Sequence, residues 1–154
     1  LLRRALDPVK MGAAFGAGVL TAAGILAAGD YLTGVVIGVA SDMPWALPYY
    51  GEMQHPVGLY RTVGFLCALI ALFVTADPAR PGRSILVAGL GWGLVHLVVD
   101  GFAANAELIG PLRTSQAMGF VVAATCAALL AYSQKSRSPK DPKHDEAASA
   151  TVPS

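Results

Sequence analysis

Three ionisable residues stand out because they lie inside otherwise apolar stretches of the chain. His96 and Asp100 are four residues apart, a spacing that places the imidazole and the carboxylate on one face of a helix. Arg61 is the single charged residue of the apolar stretch 57–76. A charge within a membrane is costly unless it is paired or hydrated, so each of these residues indicates either a structural ion pair or a functional site.

Two interpretations of Arg61 and Asp100 are open. Each is about four residues from the end of its apolar stretch, which puts both roughly 6 Å below the same interface at 1.5 Å per residue. They could form an ion pair that locks two helices together. They could instead line, with His96, a polar pocket that takes a ligand, a proton or a metal.

A metal site is a weaker hypothesis. Glu52 and His55 have a spacing found among metal ligands, and two histidines with carboxylates are a known ligand set. The full set of candidate ligands is Glu52, His55, His96, Asp100 and Glu107. Pro56 follows His55 directly, which favours a solvated loop over a helix that would align Glu52 with His55. The sequence leaves haem, quinone and metal open as cofactors and implies none of them strongly.

The composition predicts an integral membrane protein. Apolar residues make up 55% of the 154 residues and charged residues 14%, against about 25% charged in a typical soluble domain. A net charge of +1 offers no basis for nucleic-acid binding. The lipid bilayer is therefore the first predicted partner.

The fold class that we predict is an all-α membrane protein with four transmembrane helices in an antiparallel bundle. A spanning helix needs roughly 20 apolar residues, and four stretches meet this length. They are residues 11–29, 57–76, 84–104 and 114–133. The apolar runs are continuous and do not alternate, so we expect no strands. We expect the first span to be retained and not removed as a signal peptide.

The connections predict where regular structure ends. A long outer loop joins helices one and two, and its first part, 31–40, either extends helix one or lies at the interface. Residues 1–133 then form the transmembrane domain. Residues 134–154 are polar and rich in proline, which predicts a disordered cytoplasmic tail.

The distribution of Lys and Arg predicts the orientation in the plasma membrane. With four spans, both termini lie on one side, together with nine basic residues: Arg3, Arg4, Lys10, Arg80, Arg83, Lys135, Arg137, Lys140 and Lys143. The other side holds Arg61 and Arg113. Cytoplasmic loops carry the excess of Lys and Arg, so both termini are predicted to be cytoplasmic.

A stripe of small residues continues the face that carries His96 and Asp100. Gly89, Gly93, His96 and Asp100 follow one another at spacings of 4, 3 and 4. Glycines four residues apart allow a second helix to approach closely. We therefore expect His96 and Asp100 to face the protein interior.

Residues 60–132 resemble the small four-span membrane proteins of the DoxX-like group. The resemblance rests on Tyr60-Arg61-x-x-Gly64 at the start of span two, the turn Pro81-Gly82-Arg83, and Asp100-Gly101 near the end of span three. It implies a four-helix bundle with an arginine–acid polar centre at Arg61 and Asp100. Some members of that group are associated with quinone-linked respiratory complexes.

We predict from these features a non-enzymatic accessory or interaction subunit of a larger membrane complex. The sequence contains no Cys-x-x-Cys pair and no Gly-x-Ser-x-Gly motif, and an enzyme is the less favoured interpretation. Other membrane subunits or further copies of the chain are the expected protein partners. The alternatives are an outer-side ligand, redox or metal site centred on His96, Asp100 and Arg61, and proton-coupled transport by an oligomer.

Overall fold

Four long helices account for most of the structure, a computed structural model that describes residues 7–104, 107–110 and 112–135. We label them α1 (Pro8–Thr33), α2 (Val57–Thr75), α3 (Pro81–Val99) and α4 (Thr114–Lys135). All four are long enough and apolar enough to cross a membrane. The predicted all-helical, four-span fold class is therefore confirmed.

Helix α1 ends later than the sequence indicated. It continues to Thr33 and stops where Gly34 adopts a left-handed conformation with a φ of 65°, which only glycine reaches without a steric cost. The first residues of 31–40 thus extend helix one, and the rest of that segment leaves the helix. Helix α3 is followed by a single 3₁₀ turn over Asp100–Phe102.

The helices pack in an order that puts α3 at the centre. Helix α1 contacts α2 and α3, helix α2 contacts α3, and α4 packs against α3. A cluster of buried residues on the first three helices forms the core: Leu20, Ala27, Phe65, Ala68, Leu72, Ala88 and Val95. Large apolar side chains such as Phe15, Phe73 and Val74 remain exposed on the outside. That surface suits contact with lipid.

The glycine stripe of α3 brings α4 into close contact. A Cβ atom at Gly93 would lie 2.6 Å from the carbonyl oxygen of Gly119 and 3.0 Å from the Cβ atom of Ala123. A Cβ atom at Gly89 would lie 2.7 Å from Sγ of Cys126. The expectation that this stripe lies against another helix is confirmed, and that helix is α4.

The segment between α1 and α2 contains strands that the sequence did not predict. Strands β1 (Leu47–Tyr49) and β2 (Glu52–Gln54) form an antiparallel hairpin. Its two turn residues, Tyr50 and Gly51, both have positive φ, as a type I′ turn requires. A second hairpin joins β3 (Leu108–Ile109) to β4 (Leu112–Arg113). Strands of two or three residues are too short to produce a recognisable alternation, which is why the expectation of no strands is wrong.

Residues 34–56, which we call the cap, are fastened to the end of α3. The backbone N–H of Val39 donates to the carbonyl of Phe102 at 2.8 Å, and that of Ala104 donates to the carbonyl of Ile37 at 2.7 Å. The hydroxyl of Tyr49 donates to the carbonyl of Tyr31 at 3.4 Å. Desolvation in this contact raises the pKa of Tyr49, and the neighbouring Tyr31 phenol raises it further. The long loop is therefore a structured cap over one end of the bundle.

The predicted tail lies mostly outside the described residues. Gln134 and Lys135 still belong to α4, and residues 136–154 are not described. The division into a domain 1–133 and a disordered tail 134–154 stays a prediction.

Candidate functional site

Polar side chains converge where the cap meets the bundle. We call this region the polar end and define it by Asp30, Arg61, His96, Asp100 and Arg113. The C-terminal turns of α1 and α3 meet the N-terminal turns of α2 and α4 here. Each helix thus contributes or positions at least one of these residues.

Asp100 is the centre of the polar end and is fully buried. Its Oδ1 atom accepts from Nη2 of Arg61 at 2.7 Å and from Nε at 2.8 Å. Its Oδ2 atom lies 2.8 Å from Nδ1 of His96. The Ser115 hydroxyl also hydrogen-bonds to the carboxylate. A charged guanidinium and further donors thus compensate for the removal of this carboxylate from water.

Arg61 reaches Asp100 from α2 and is four-fifths buried itself. Its Nη1 atom is also 3.9 Å from Oδ2 of Asp30 on α1. One guanidinium therefore contacts carboxylates from two other helices. The ion pair expected from the matched depths of Arg61 and Asp100 is present, and Asp30 adds to it.

The position of His96 sets its tautomer. A carboxylate that is paired with Arg61 can only accept, so the contact with Oδ2 fits the tautomer of His96 that carries its proton on Nδ1. The imidazole packs against the Trp92 ring, with centroids 4.3 Å apart, and against the Phe65 ring at 5.7 Å. Within the described residues Nε2 forms no hydrogen bond. A neutral His96 therefore presents an unprotonated nitrogen that can take up a proton.

Arg113 is a site residue whose position the sequence did not reveal. Its Nη1 atom donates to the backbone carbonyl of Asp100 at 3.0 Å and also to that of Gly101. A cation suits these carbonyls because the C-terminus of a helix carries partial negative charge. Its Nε atom is buried and has no partner among the described residues. From the sequence alone, Arg113 is predicted only to be a basic residue on the outer side.

The start of α4 completes the polar end. The side chain of Gln116 donates from Nε2 to the carbonyl of Leu97 at 3.1 Å and accepts from the backbone N–H of Arg113 at 3.3 Å. The polar run Arg113-Thr114-Ser115-Gln116 begins span four at the same predicted side of the membrane as Asp100. That run is the sequence signal that could have identified Arg113 and Ser115.

His55 belongs to an aromatic cluster beside the polar end. Its Nδ1 atom is 3.1 Å from the hydroxyl of Tyr60, which accepts from Nε1 of Trp45 at 2.7 Å. The imidazole also packs on Phe102 at a centroid distance of 4.9 Å. An apolar groove of about 540 Å³ opens next to this cluster, lined by Trp45, Pro56, Leu59, Tyr60, Val63 and Gly64.

Of the five candidate metal ligands, only His96 and Asp100 are in contact with each other. Within residues 7–104, 107–110 and 112–135, no group of three His, Cys, Asp or Glu side chains could hold a metal ion. Glu52 is exposed on β2, and Glu107 is exposed before β3. His55 and His96 are engaged by Tyr60 and Asp100 instead.

Comparison with known proteins identifies relatives for nearly the whole bundle. A family model described as prolipoprotein diacylglyceryl transferase matches residues 1–132. A phosphatidylglycerol–prolipoprotein diacylglyceryl transferase of Finegoldia magna is 26% identical over 96 residues, 61% of this chain and 39% of the relative. The protein of the same name from Thermosynechococcus vestitus is 26% identical over 113 residues, 62% of this chain and 41% of the relative.

A third relative with that name, from Acaryochloris marina, is 27% identical over 106 residues, 60% of this chain and 39% of the relative. The chain thus matches about two fifths of the length of each of these proteins. No solved structure gives a significant match.

These relatives correct three predictions. The resemblance to the DoxX-like group is wrong, since the family model that matches is a different one. Many small membrane bundles share the features on which it rested, because they need basic turns for orientation and arginine–acid pairs near the ends of their spans. The predictions of a non-enzymatic accessory subunit and of an enzyme as the less favoured interpretation are wrong as well, since the matched proteins are named as transferases. The match spans all four helices of this multi-pass membrane protein. The chain belongs to the prolipoprotein diacylglyceryl transferase family.

Proposed function

We propose that the chain takes part in the transfer of a diacylglyceryl group from phosphatidylglycerol to a prolipoprotein, the reaction for which its relatives are named. This proposal rests on one observation, that the family match and a polar cluster occur in the same stretch of the chain. The family match covers residues 1–132, and the same stretch holds a buried cluster of two arginines, a carboxylate and an imidazole at one end of the bundle. The polar end is the proposed site.

The chemistry of this reaction requires two kinds of protein group. The bond between the glycerol carbon of the diacylglyceryl group and a phosphate oxygen breaks, and the oxygen keeps the electron pair. A nucleophile of the prolipoprotein forms the new bond to that carbon and loses its proton. A site for the reaction must therefore stabilise a phosphate anion and accept a proton.

Arg113 is the proposed phosphate-binding group, and Arg61 adds a second positive charge at the same end of the bundle. Arginine donates in a planar fork that matches phosphate oxygens. Leaving a buried donor unpaired costs about 1–3 kcal/mol, and Nε of Arg113 is such a donor among the described residues. The groove beside Tyr60 has the size and apolar lining to take part of an acyl chain.

His96 is the proposed proton acceptor. Asp100 holds its Nδ1–H and thereby presents the lone pair of Nε2, which is the arrangement that a general base requires. A carboxylate beside an imidazole also stabilises the imidazolium that forms when the proton arrives. Arg61 holds the Asp100 carboxylate in place for this role through two short contacts with Oδ1.

The proposed orientation puts the polar end on the outer face of the plasma membrane, with both termini in the cytoplasm. Nine basic residues lie on the side of the termini and two on the other side, which supports this orientation under the positive-inside rule. Cysteine labelling tests it in a chain that carries Cys67→Ala and Cys126→Ala. In intact cells, an impermeant thiol reagent should label Asp42→Cys in the cap and spare Ala79→Cys in the turn before α3. The reverse pattern would invert the orientation.

The activity is tested with the full chain in membranes that contain phosphatidylglycerol and an added prolipoprotein. A mass increase of the prolipoprotein by one diacylglyceryl group is the expected product. His96→Gln and Arg113→Gln should each reduce the rate at least tenfold, whereas Asp42→Asn in the exposed cap should leave it unchanged. Absence of transfer by the unchanged chain, or equal rates in all three variants, would contradict the proposal.

A further inference from the structure

A second cavity lies at the opposite end of the bundle, between the start of α3 and the end of α4. It has a volume of about 760 Å³. Its polar rim includes Arg80, Arg83 and Gln134, and its walls include Ile85, Leu86 and Leu130. No part of it belongs to the polar end. Arg83 and Asp100 are 17 residues apart on α3 and its 3₁₀ extension, which at 1.5 Å per residue is about 25 Å.

The charge around this cavity is positive. Arg80 contacts Asp77 through an exposed pair, with Nε 3.4 Å from Oδ2. Arg83 is exposed and forms no ion pair within the described residues. Lys135 stands in the last turn of α4. Among the described residues of the turn before α3, the first turn of α3 and the last turn of α4, one carboxylate thus accompanies three cations.

Helix α1 does not neutralise this charge. Its first turns reach the same end, since a Cβ atom at Gly82 would lie 3.8 Å from Cγ1 of Val9. Asp7 caps the helix by accepting from the backbone N–H of Val9 at 3.0 Å, and Lys10 is exposed nearby. These two charges cancel. The excess of positive charge at the rim remains.

We propose that this cavity binds an anionic phospholipid of the leaflet on that side of the membrane. The phosphate would pair with Arg83 and Arg80, and an acyl chain would lie along Ile85, Leu86 and Leu130. A soluble anion would match the rim alone and leave the apolar walls uncovered. A phospholipid matches both parts of the cavity, because its charged headgroup would lie at the basic rim while its acyl chain covers the apolar walls. This lipid site is additional to the proposed substrate site at the polar end.

The charge of the rim sets the size of the expected effect. A basic residue near an anionic membrane surface strengthens binding about fivefold. Removal of Arg83 should therefore weaken retention of an anionic lipid about fivefold, and removal of both arginines should weaken it further. Phosphatidylcholine, which has no net charge, should not respond to either change.

Native mass spectrometry of the full chain in detergent measures this directly. Phosphatidylglycerol or phosphatidylcholine is titrated into the unchanged chain, into Arg83→Gln, and into Arg80→Gln with Arg83→Gln. We expect retained phosphatidylglycerol to decrease in that order and phosphatidylcholine to bind weakly throughout. Lys10→Gln is the matched control, since it removes one positive charge at the same end without lining the cavity, and it should change nothing.

Four outcomes would overturn the proposal. Equal loss in Lys10→Gln would indicate a diffuse effect of charge. Equal retention of phosphatidylcholine and phosphatidylglycerol would show that binding does not depend on the charge of the arginines. Displacement of the lipid by millimolar inorganic phosphate would indicate a site for a free anion. Loss of all bound phosphatidylglycerol in Arg113→Gln, with none in Arg83→Gln, would place the lipid at the polar end alone and leave the proposed function intact.

Discussion

Each end of the bundle has an arginine–aspartate pair, and the two pairs differ in almost every physical respect. At the polar end, Arg61 and Asp100 are 2.7 Å apart, and their side chains are 18% and 0% exposed. At the opposite end, Arg80 and Asp77 are 3.4 Å apart and are 51% and 34% exposed. The same two residue types thus form a buried link between helices in one place and a solvated surface contact in the other.

Tertiary position, and not residue type, decides what a charge does in this chain. Asp77 and Arg80 are neighbours in a turn and meet without any help from the fold. Asp100 and Arg61 meet only because α2 and α3 pack, and α4 then covers the carboxylate. A buried pair holds its partners together because either charge alone would be uncompensated, whereas water screens an exposed pair.

Removal of Asp100 should have the largest effect. Asp100→Ala removes the buried partner of Arg61 and leaves only the more distant and more exposed Asp30 carboxylate at 3.9 Å, and breaking a buried pair costs up to about 3–5 kcal/mol in the free energy of unfolding. Adding Arg61→Leu should recover much of this loss, since both charges are then gone. Unfolding of the purified chain in detergent micelles by denaturant measures both values. Additive losses in the double variant would show that the two residues do not act as a pair.

A side chain at Gly93 should have the next largest effect. Gly93→Val places its Cβ atom 2.6 Å from the carbonyl of Gly119, so α4 must move away from α3, at a cost of about 1–3 kcal/mol. Gly18→Val is the control, because a Cβ atom there meets nothing within 4 Å. Equal unfolding midpoints for the two variants would mean that the close contact of α3 and α4 contributes little to the stability of the bundle that holds the polar end.

Substitution of His96 should reduce activity much more than it reduces stability. His96→Gln loses the imidazole–carboxylate hydrogen bond, and hydrogen bonds to charged groups contribute about 1.5–3 kcal/mol. Part of this should be retained, because a glutamine amide can still donate to Asp100. We expect a change in unfolding free energy near 1 kcal/mol together with a loss of transfer activity of at least tenfold. A variant with full activity would reduce His96 to a packing residue.

The exposed pair should give the smallest effect. Asp77→Ala removes the partner of Arg80, and we expect less than about 1 kcal/mol because water reaches both side chains. The effect should shrink further at high salt, where exposed charges are screened. A loss as large as that of Asp100→Ala would abolish the distinction between the two ends.

The candidate site was only partly predictable from the sequence. Arg61, His96 and Asp100 are identifiable because each is an ionisable residue in an apolar run, and helical spacing alone puts His96 beside Asp100. Arg113 is not identifiable in this way, since its role depends on a side chain that folds back onto the carbonyls at the end of α3. The contact of His55 with Tyr60 could not be predicted either, because the cap that brings the two side chains together has no periodic pattern.

The four spans, their limits to within a few residues, and the glycine stripe on α3 could be predicted from the order of residues alone. These properties are local, since hydrophobic runs and helical periodicity depend only on residues near one another in the chain. The tertiary structure decided that α4 is the helix against the stripe, that residues 34–56 form a cap, and that two arginines border a cavity far from Asp100. Such contacts join residues that are distant in the chain, and a single sequence carries no record of which apolar surfaces will pack together.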